Sequence, residues 1–404
     1  MNIFIIPSWY PSVDFPVSGS FLVKQLQQLS SRYTDINIGV SNWGQNRSDL
    51  ALQAKDHLHN LKKLFAATIH PQKETLRQNH AVYYHPTFTW TQHIAQGNLE
   101  GVVKANLSNL KAFEADFGPV DLIHAQTARP AGIIAKRLSD ETGIPFCITE
   151  HTGPFPDKYS VGKDGKLKPA LKLAYDSSAQ NIAESHFQKQ RMQAQGISRV
   201  TVIPNFVEED FFKCSLKSDS RAFRFFSLGY IHPKKGFDTL LAAFKLVVSE
   251  YESASLTIGG TGEYLETYRQ LTADAGILDK VSWLGEINRE EALHQYQNCD
   301  AFVLASQYEA LGNVFLEAIA CGKPIIATKC GAPEETVNET NGVAVEKNNP
   351  EALSKAMLYL INNIGKYDSR QIRQDFMSRF SSQAVMPQLY SLYKNISSLH
   401  PRQR

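Results

Sequence analysis

The sequence predicts an α/β protein made of two doubly wound domains, and two observations carry that expectation. Apolar runs of strand length alternate with helical patterns through most of the 404 residues, the order that parallel sheets with crossover helices produce. The alternation breaks at VTVIPNFVEEDFF, residues 200–212, and then restarts. A chain of this length exceeds what one core ordinarily serves, so two domains of ~200 residues are the natural division.

In the first half, Ile3 to Ile6 reads as a strand and SWYPSVDFPVSGSF as a loop. FLVKQLQQLSSRY follows as a helix with Phe21, Leu22, Leu26 and Leu29 on one face. Gly19 and Ser20 open that helix, where backbone N–H groups can face a phosphate or a sugar; taken alone, the pair reads as a simple turn. Ile38 to Val40 is a second strand. Residues 44–80, with Lys55, His57, His59, Lys62 and Lys63, read as a polar stretch between elements. Within it LHNLKKLFAATI (58–69) has the spacing of an amphipathic helix, either resting on a membrane, covering an acceptor groove or lying on the surface. Asp121 to Ala125, Ala131 to Ser139 and Pro145 to Thr149 form strand, helix and strand, a right-handed βαβ unit. Glu150 and His151 follow the last strand directly, at its carboxyl edge. Lys158, Lys163, Lys166, Lys168 and Lys172 mark a basic loop, a solvated face or a grip on an anionic acceptor. A helix is expected around Gln180 to Ala194, then a strand at Thr201 to Ile203 and a turn at Pro204-Asn205.

The second half repeats the alternation through FRFFSLG, KKGFDTLLAAFKLVV, SLTIGGTGEYLETYRQL and VSWLGEI. Ala301 to Ala305 and Ile325 to Thr328 read as buried parallel strands flanking a helix that begins near Asn313 and stops at Gly322. The helix interior VFLEAIA holds one charge, Glu317. Burying even a neutral polar group unpaired costs of order 2–7 kcal/mol, so Glu317 needs partners: two sugar hydroxyls or a neighbouring protein group. Glu309 stands in the loop before the helix, where a helix N-terminus also favours a phosphate. A solvated loop carboxylate is the plainer reading of Glu309.

Glu309-x7-Glu317, inside S-x-x-E-x-x-G-N-V-x-L-E-A-x-A-x-G-K-P-I-I-A, resembles the signature of the retaining glycosyltransferases of family 4. That resemblance implies the GT-B fold, two Rossmann-like domains facing each other across a cleft that holds the active site. It implies that Glu317 holds the nucleotide ribose and that Glu309 contacts the donor sugar near the diphosphate. Lys235, in a Lys-Gly pair, then binds the diphosphate, with Lys234 as a second charge. Gly19 and the helix opening Gly312-Asn313-Val314 approach the same group, the turn at Gly260 and Gly262 lies near the donor, and the segment ending at Ile287 borders the nucleobase. His151, in CITEHTG, would face the donor sugar at its 6-hydroxyl. Tyr230 stands where the family has arginine, and Phe206 where its linker has glycine. The implied domains are 1–203 for the acceptor, 204–375 for the nucleotide-sugar, and a helical segment, 376–404, that crosses back.

Composition narrows the rest. No apolar run approaches the ~18–20 residues a spanning helix needs, and MNIFIIPSWYP lacks the basic start of a signal peptide, so a cytoplasmic location is expected. Cys147, Cys214, Cys299, Cys321 and Cys330 are widely spaced, without a CxxC pair, and read as reduced core thiols. Net charge is +2, split as +5 over residues 1–203 and −3 over the remainder; a basic first half suits an anionic acceptor or membrane face, or is chance scatter.

The expected activity is retaining transfer from a nucleotide-diphosphate sugar, a UDP-sugar first and GDP-mannose second, to a hydroxyl of a glycan, lipid-linked and destined for a bacterial surface polysaccharide. No cofactor or metal is expected, since no D-x-D pair stands out, and no nucleic-acid partner; peripheral contact with the inner membrane face is. Glu309, His151 and Lys235 carry the chemistry, with front-side attack and the leaving phosphate taking the acceptor's proton. The alternatives are a nucleotide-sugar epimerase, a phosphorylase, or a non-catalytic nucleotide-sugar-binding partner.

Overall fold

The computed structural model describes residues 1–52, 70–90, 95–214 and 222–400. The stretch 58–69, with its lysines, lies outside the described residues. The chain forms two compact units. The first comprises Met1–Glu184, Lys189–Ile203 and Met386–Arg404, the second Ser185–Gln188 and Pro204–Val385.

In the first unit the described elements run β1 (Asn2–Pro7), α1 (Ser20–Arg32), β2 (Asn37–Asn42), β3 (Gln72–Arg77), β4 (His80–Tyr84), α2 (Ala95–Phe117), β5 (Leu122–Gln126), α3 (Ile133–Thr142), β6 (Phe146–Glu150), α4 (Pro169–Ser177), β7 (Gln180–Ala183), α5 (His186–Ala194, whose start up to Gln188 goes with the second unit) and β8 (Val200–Val202). The sheet order is β3-β4-β2-β1-β5-β6-β7-β8. Every pairing is parallel except β3 with β4. Strands β1, β5 and β6 are buried along their whole length, as central parallel strands covered on both faces must be. The order in which strands are added reverses between β1 and β5, which opens a crevice over their carboxyl ends.

The second unit runs β9 (Arg224–Leu228), α6 (Phe237–Glu250), β10 (Ser255–Gly259), α7 (Leu265–Asp274), β11 (Val281–Gly285), α8 (Arg289–Asn298), β12 (Ala301–Leu304), α9 (Asn313–Ala320), β13 (Ile325–Thr328), α10 (Pro333–Thr336), β14 (Gly342–Val345), α11 (Pro350–Asn363) and α12 (Ser369–Arg379). Its sheet, β11-β10-β9-β12-β13-β14, is parallel throughout. The switch point lies between β9 and β12, so the loops after those two strands part over a crevice.

Five expectations are corrected. Residues 44–80 contain β3 and the start of β4, which sequence reading passed over because QKETLR is a polar edge strand with no apolar alternation. The helix expected from Gln180 is preceded by β7, whose QNIA pairs with β6 and β8. The basic loop ends before Lys172: Val161 pairs with Leu167 across a turn at Gly165, and α4 starts at Pro169. Residues 376–385 stay with the second unit, because Phe376 and Phe380 sit in its core and Glu209 accepts from both Ser382 N (2.9 Å) and Ser382 Oγ (2.6 Å). Those two bonds cap α13 (Ser382–Leu399), which rejoins the first unit from Met386. Four cysteines are buried, whereas Cys214 lies at the surface. Phe206 is nearly buried and has no positive φ, so the linker does not need the family's glycine there.

One contact fixes the second unit's crevice. Gly236 has φ +66°, and a Cβ there would lie 1.9 Å from the carbonyl oxygen of Ala305. Only glycine lets the loop after β9 seat on the end of β12. Gly236→Ala should therefore lower the stability of the second unit by at least about 2 kcal/mol, read as a shift in the thermal unfolding midpoint; an unchanged midpoint would show that the loop has another seat.

Candidate active site

At the second unit's switch point the loops after β9 and β12 bring two opposite charges together. Lys235 Nζ donates to Glu309 Oε1 at 2.6 Å, and Ser306 Oγ donates to the same oxygen at 2.7 Å. The Glu309 side chain keeps 11 % of its surface and that of Lys235 27 %, so both remain reachable from solvent. Backbone ties hold the frame: Gln307 N to Lys234 O (2.7 Å), Ala332 N to Glu309 O (3.2 Å) and Thr328 Oγ1 to Ser306 O (2.5 Å). Lys234 itself is exposed.

Gly312, at φ +83°, turns the chain into α9, and the helix's first amides face the same crevice edge. The Asn313 Oδ1 atom is buried without a hydrogen-bond partner among the described residues. One turn on, Glu317 is partly buried, and its Oε2 accepts from Tyr296 Oη at 2.9 Å. That hydroxyl also lies 3.1 Å from Val314 O, so its single proton is shared between the two acceptors. Glu317 Oε1 has no protein partner among the described residues. Burial pushes the Glu317 carboxyl up to about 7, the Tyr296 hydrogen bond pulling the other way, and drives the Tyr296 phenol well above its usual range.

Of the remaining candidates in this unit, the two glycines shape the loops and Tyr230 stays exposed. Gly260, at φ +125°, and Gly262 admit the carbonyls of Gly229 and Ile231, which a Cβ would approach to 1.9 and 2.3 Å. They clamp the loop after β10 onto the loop after β9 and thereby hold Tyr230. That side chain is 57 % exposed and lies near-parallel to His232 at 6.3 Å. Ile287 packs against the backbone at Gly259.

In the first unit His151 is almost wholly enclosed, with 5 % of its side chain exposed. Nδ1 is bonded to Glu184 Oε1 and Nε2 lies 2.6 Å from Gln126 Oε1, while Phe21 meets the ring edge-on at 4.8 Å. The chain of contacts continues through Gln126 to His124, which bonds Thr149 Oγ1 at 2.7 Å and Tyr393 Oη at 2.6 Å. Burial beside His151 pushes His124 down to about 3, so it is neutral. Glu150 is saturated: its carboxylate accepts from His151 N, Thr152 N, Thr152 Oγ1, Ala128 N and Tyr175 Oη. It is a structural hub joining β6 to the loop after β5. Gly19, at φ +73°, admits the Trp9 carbonyl, which a Cβ would meet at 2.6 Å.

Residues 208–375 match the family described as Glycosyl transferases group 1, and residues 69–211 match Glycosyltransferase Family 4. The chain is a family 4 glycosyltransferase. An uncharacterized glycosyltransferase of Methanocaldococcus jannaschii is 27 % identical over 280 residues, 69 % of this chain and 76 % of that one. The GDP-mannose-dependent alpha-(1-6)-phosphatidylinositol monomannoside mannosyltransferase of Mycobacterium tuberculosis is 34 % identical over 142 residues, 33 % of this chain and 37 % of its own. Anabaena HepE, crystallised in complex with UDP, superposes with a TM-score of 0.70 at 17 % identity, over 98 % of this chain and all of that one. The fold is GT-B.

Within the glycosyltransferase, the structure brings Lys235, Glu309 and the Gly312-Asn313-Val314 turn to one switch point, with Glu317 a turn behind. A sugar-facing role for His151 would require one of its two ring hydrogen bonds to open. Sequence reading missed Ser306, Tyr296, Gln126 and Glu184. Ser306 is legible in retrospect as the first residue of S-x-x-E. The other three reach their partners from 21, 25 and 33 residues away, with no local pattern to mark them.

A carboxyl raised by folding binds more protons folded than unfolded, so its cost to stability sets in as pH rises from its unfolded value of ~4.3 and levels off above its folded one. The glycosyltransferase should therefore lose unfolding temperature relative to Glu317→Gln between pH 5 and about 7, with no further divergence above. A difference between the two proteins that does not change with pH would place the Glu317 titration elsewhere.

Proposed function

We propose that the chain transfers a hexose from a nucleotide-diphosphate sugar to a hydroxyl of a glycan with retention of anomeric configuration and without a metal ion. The observation that carries this reading is the Lys235–Glu309 pair at the β9/β12 switch point, followed eight residues on by a carboxylate with one open oxygen. Lys235, Lys234 and the α9 amides supply positive potential for the diphosphate. Glu317 Oε1 is available to a ribose hydroxyl, and the orphaned Asn313 oxygen to another donor group. A diphosphate takes over Lys235 and frees Glu309 towards the sugar.

In the proposed step the bond from the sugar's anomeric carbon to the β-phosphate oxygen breaks. The acceptor oxygen bonds to that carbon on the same face, and the hydroxyl proton passes to the departing phosphate. Charge on the leaving group is neutralised by fixed cations and dipoles, the work a divalent ion does elsewhere. Tyr230 offers one hydrogen bond where a guanidinium would offer two, so leaving-group stabilisation rests chiefly on Lys235. The GDP-mannose dependence of the 34 % identical relative makes GDP-mannose the first donor to test, and UDP-glucose the second. The acceptor is proposed to be a lipid-linked glycan.

Purified protein with excess chelator should release nucleoside diphosphate from one member of a UDP- and GDP-sugar panel. Glu317→Ala should weaken donor binding at least tenfold, given about 1.5–3 kcal/mol for each charge-assisted hydrogen bond lost, and Lys235→Ala should abolish release. Activity that vanishes in chelator and returns with Mg²⁺ or Mn²⁺ would refute the metal-free step, and trapping a covalent glycosyl-enzyme would refute same-face attack.

A further inference from the structure

Three of the chain's four tryptophans, Trp9, Trp43 and Trp90, line one pocket of about 360 Å³ in the first unit. Its walls come from the segments that follow β1, β2, β4 and β5, four adjacent strands of the sheet, and from the start of α2. It therefore lies over the carboxyl edge, across the β1/β5 switch point, where open α/β sheets receive ligands. None of the lining residues is Lys, Arg, Asp or Glu; the polar groups are hydroxyls and the amides of Gln45, Asn46 and Gln96.

The amides have capacity to spare. Asn46 Nδ2 donates to Tyr10 O (2.7 Å) and Ser18 Oγ (2.9 Å), which leaves its oxygen open. Gln96 makes no side-chain hydrogen bond among the described residues, although its backbone is held at φ +52°, ahead of Gly97 and Asn98 at +75° and +68°. Non-glycine residues in that region cost of order 1–3 kcal/mol each, and such strain gathers at ligand sites.

Trp43 is only 2 % exposed, so the indole surface on offer is that of the partly exposed Trp9 and Trp90. Those faces beside uncharged amides suit a molecule with an apolar face and a rim of hydroxyls. We propose that this pocket seats the acceptor as a neutral saccharide, its C–H face on the indoles and its hydroxyls on Gln45, Asn46 and Gln96. The inference rests on the transferase reading and adds the acceptor's chemical class. It disfavours the anionic acceptor that the basic first half suggested. The adjoining pocket of about 570 Å³ does hold charges, but Arg47 is paired with Asp49, and Lys73 with Asp116 at 2.7 Å.

Tryptophan fluorescence of the full-length protein tests this by titration with the methyl glycosides of glucose, galactose, mannose and N-acetylglucosamine, beside glucuronic acid and glucose 6-phosphate. At least one neutral glycoside should give a saturable change, at least tenfold tighter than either anionic sugar. Trp90→Ala should weaken it at least fivefold. Gln96→Gly should raise the unfolding midpoint by relieving strain while weakening the same glycoside, which keeps the test decisive if Trp90→Ala does not fold. No response to any neutral glycoside, or equal binding of the anionic sugars, overturns the proposal. Thermal shift with UDP and GDP runs in parallel: nucleotide binding without glycoside binding sinks the acceptor inference alone, and glycoside binding without nucleotide binding sinks the transferase reading and with it the acceptor role, leaving a saccharide pocket.

Discussion

The seating of Gly236 against the Ala305 carbonyl decides what the second unit can do. Because no side chain intervenes, the loop after β9 reaches the end of β12, and Lys235 comes within hydrogen-bonding distance of a carboxylate 74 residues further along the chain. Gly260 and Gly262 repeat the device one strand over, each replacing a side chain with a neighbouring carbonyl. The crevice is thus framed by backbone packed on backbone, and the charged side chains are attached to a frame with little freedom to drift.

That frame also explains which parts of the molecule were legible in sequence. Strands β12 and β13 and helix α9 were readable because apolar runs bounded by glycine and proline have few other meanings. The Glu309–Glu317 spacing pointed to the loop after β12 and to α9, where Lys235 and Tyr296 meet the two carboxylates. The glycines have a further physical reason that sequence reading did not give: it placed Gly19, Gly260 and Gly262 against a ligand, and each also makes room for a protein carbonyl. Both uses demand a missing Cβ, and sequence cannot tell a carbonyl from a phosphate as the neighbour. Strand β3 was invisible because edge strands need no apolar face, and the partners of Glu317 and His151 because tertiary hydrogen bonds leave no periodicity.

Two polar clusters, one in each unit, are built in opposite ways. In the first, Glu150 is surrounded by five donors and His151 has both nitrogens occupied, so this cluster binds strands and loops together. In the second, Glu317 retains an open oxygen and Asn313 a buried orphan, so the polar groups there are under-satisfied. Saturated networks rigidify, and unsatisfied ones are held ready for something else to complete them. The contrast separates a rigid cluster around Glu150 from one around Glu317 that a ligand can complete.

Helix α13 carries a consequence for how the chain is made. Tyr390 stacks on Tyr33 and bonds Asp35 across 355 residues, and Tyr393 bonds His124 across 269. During synthesis the first sheet thus emerges long before the helix that covers it, while the second unit has nearly all of its own residues in one uninterrupted run. The second unit is therefore the one able to fold promptly on the ribosome, and the first must wait with a strip of its core uncovered until the residues from Met386 onward have emerged. A slow stretch of codons or a chaperone acting while α13 is being made would bear on the first unit's yield and leave the second's untouched.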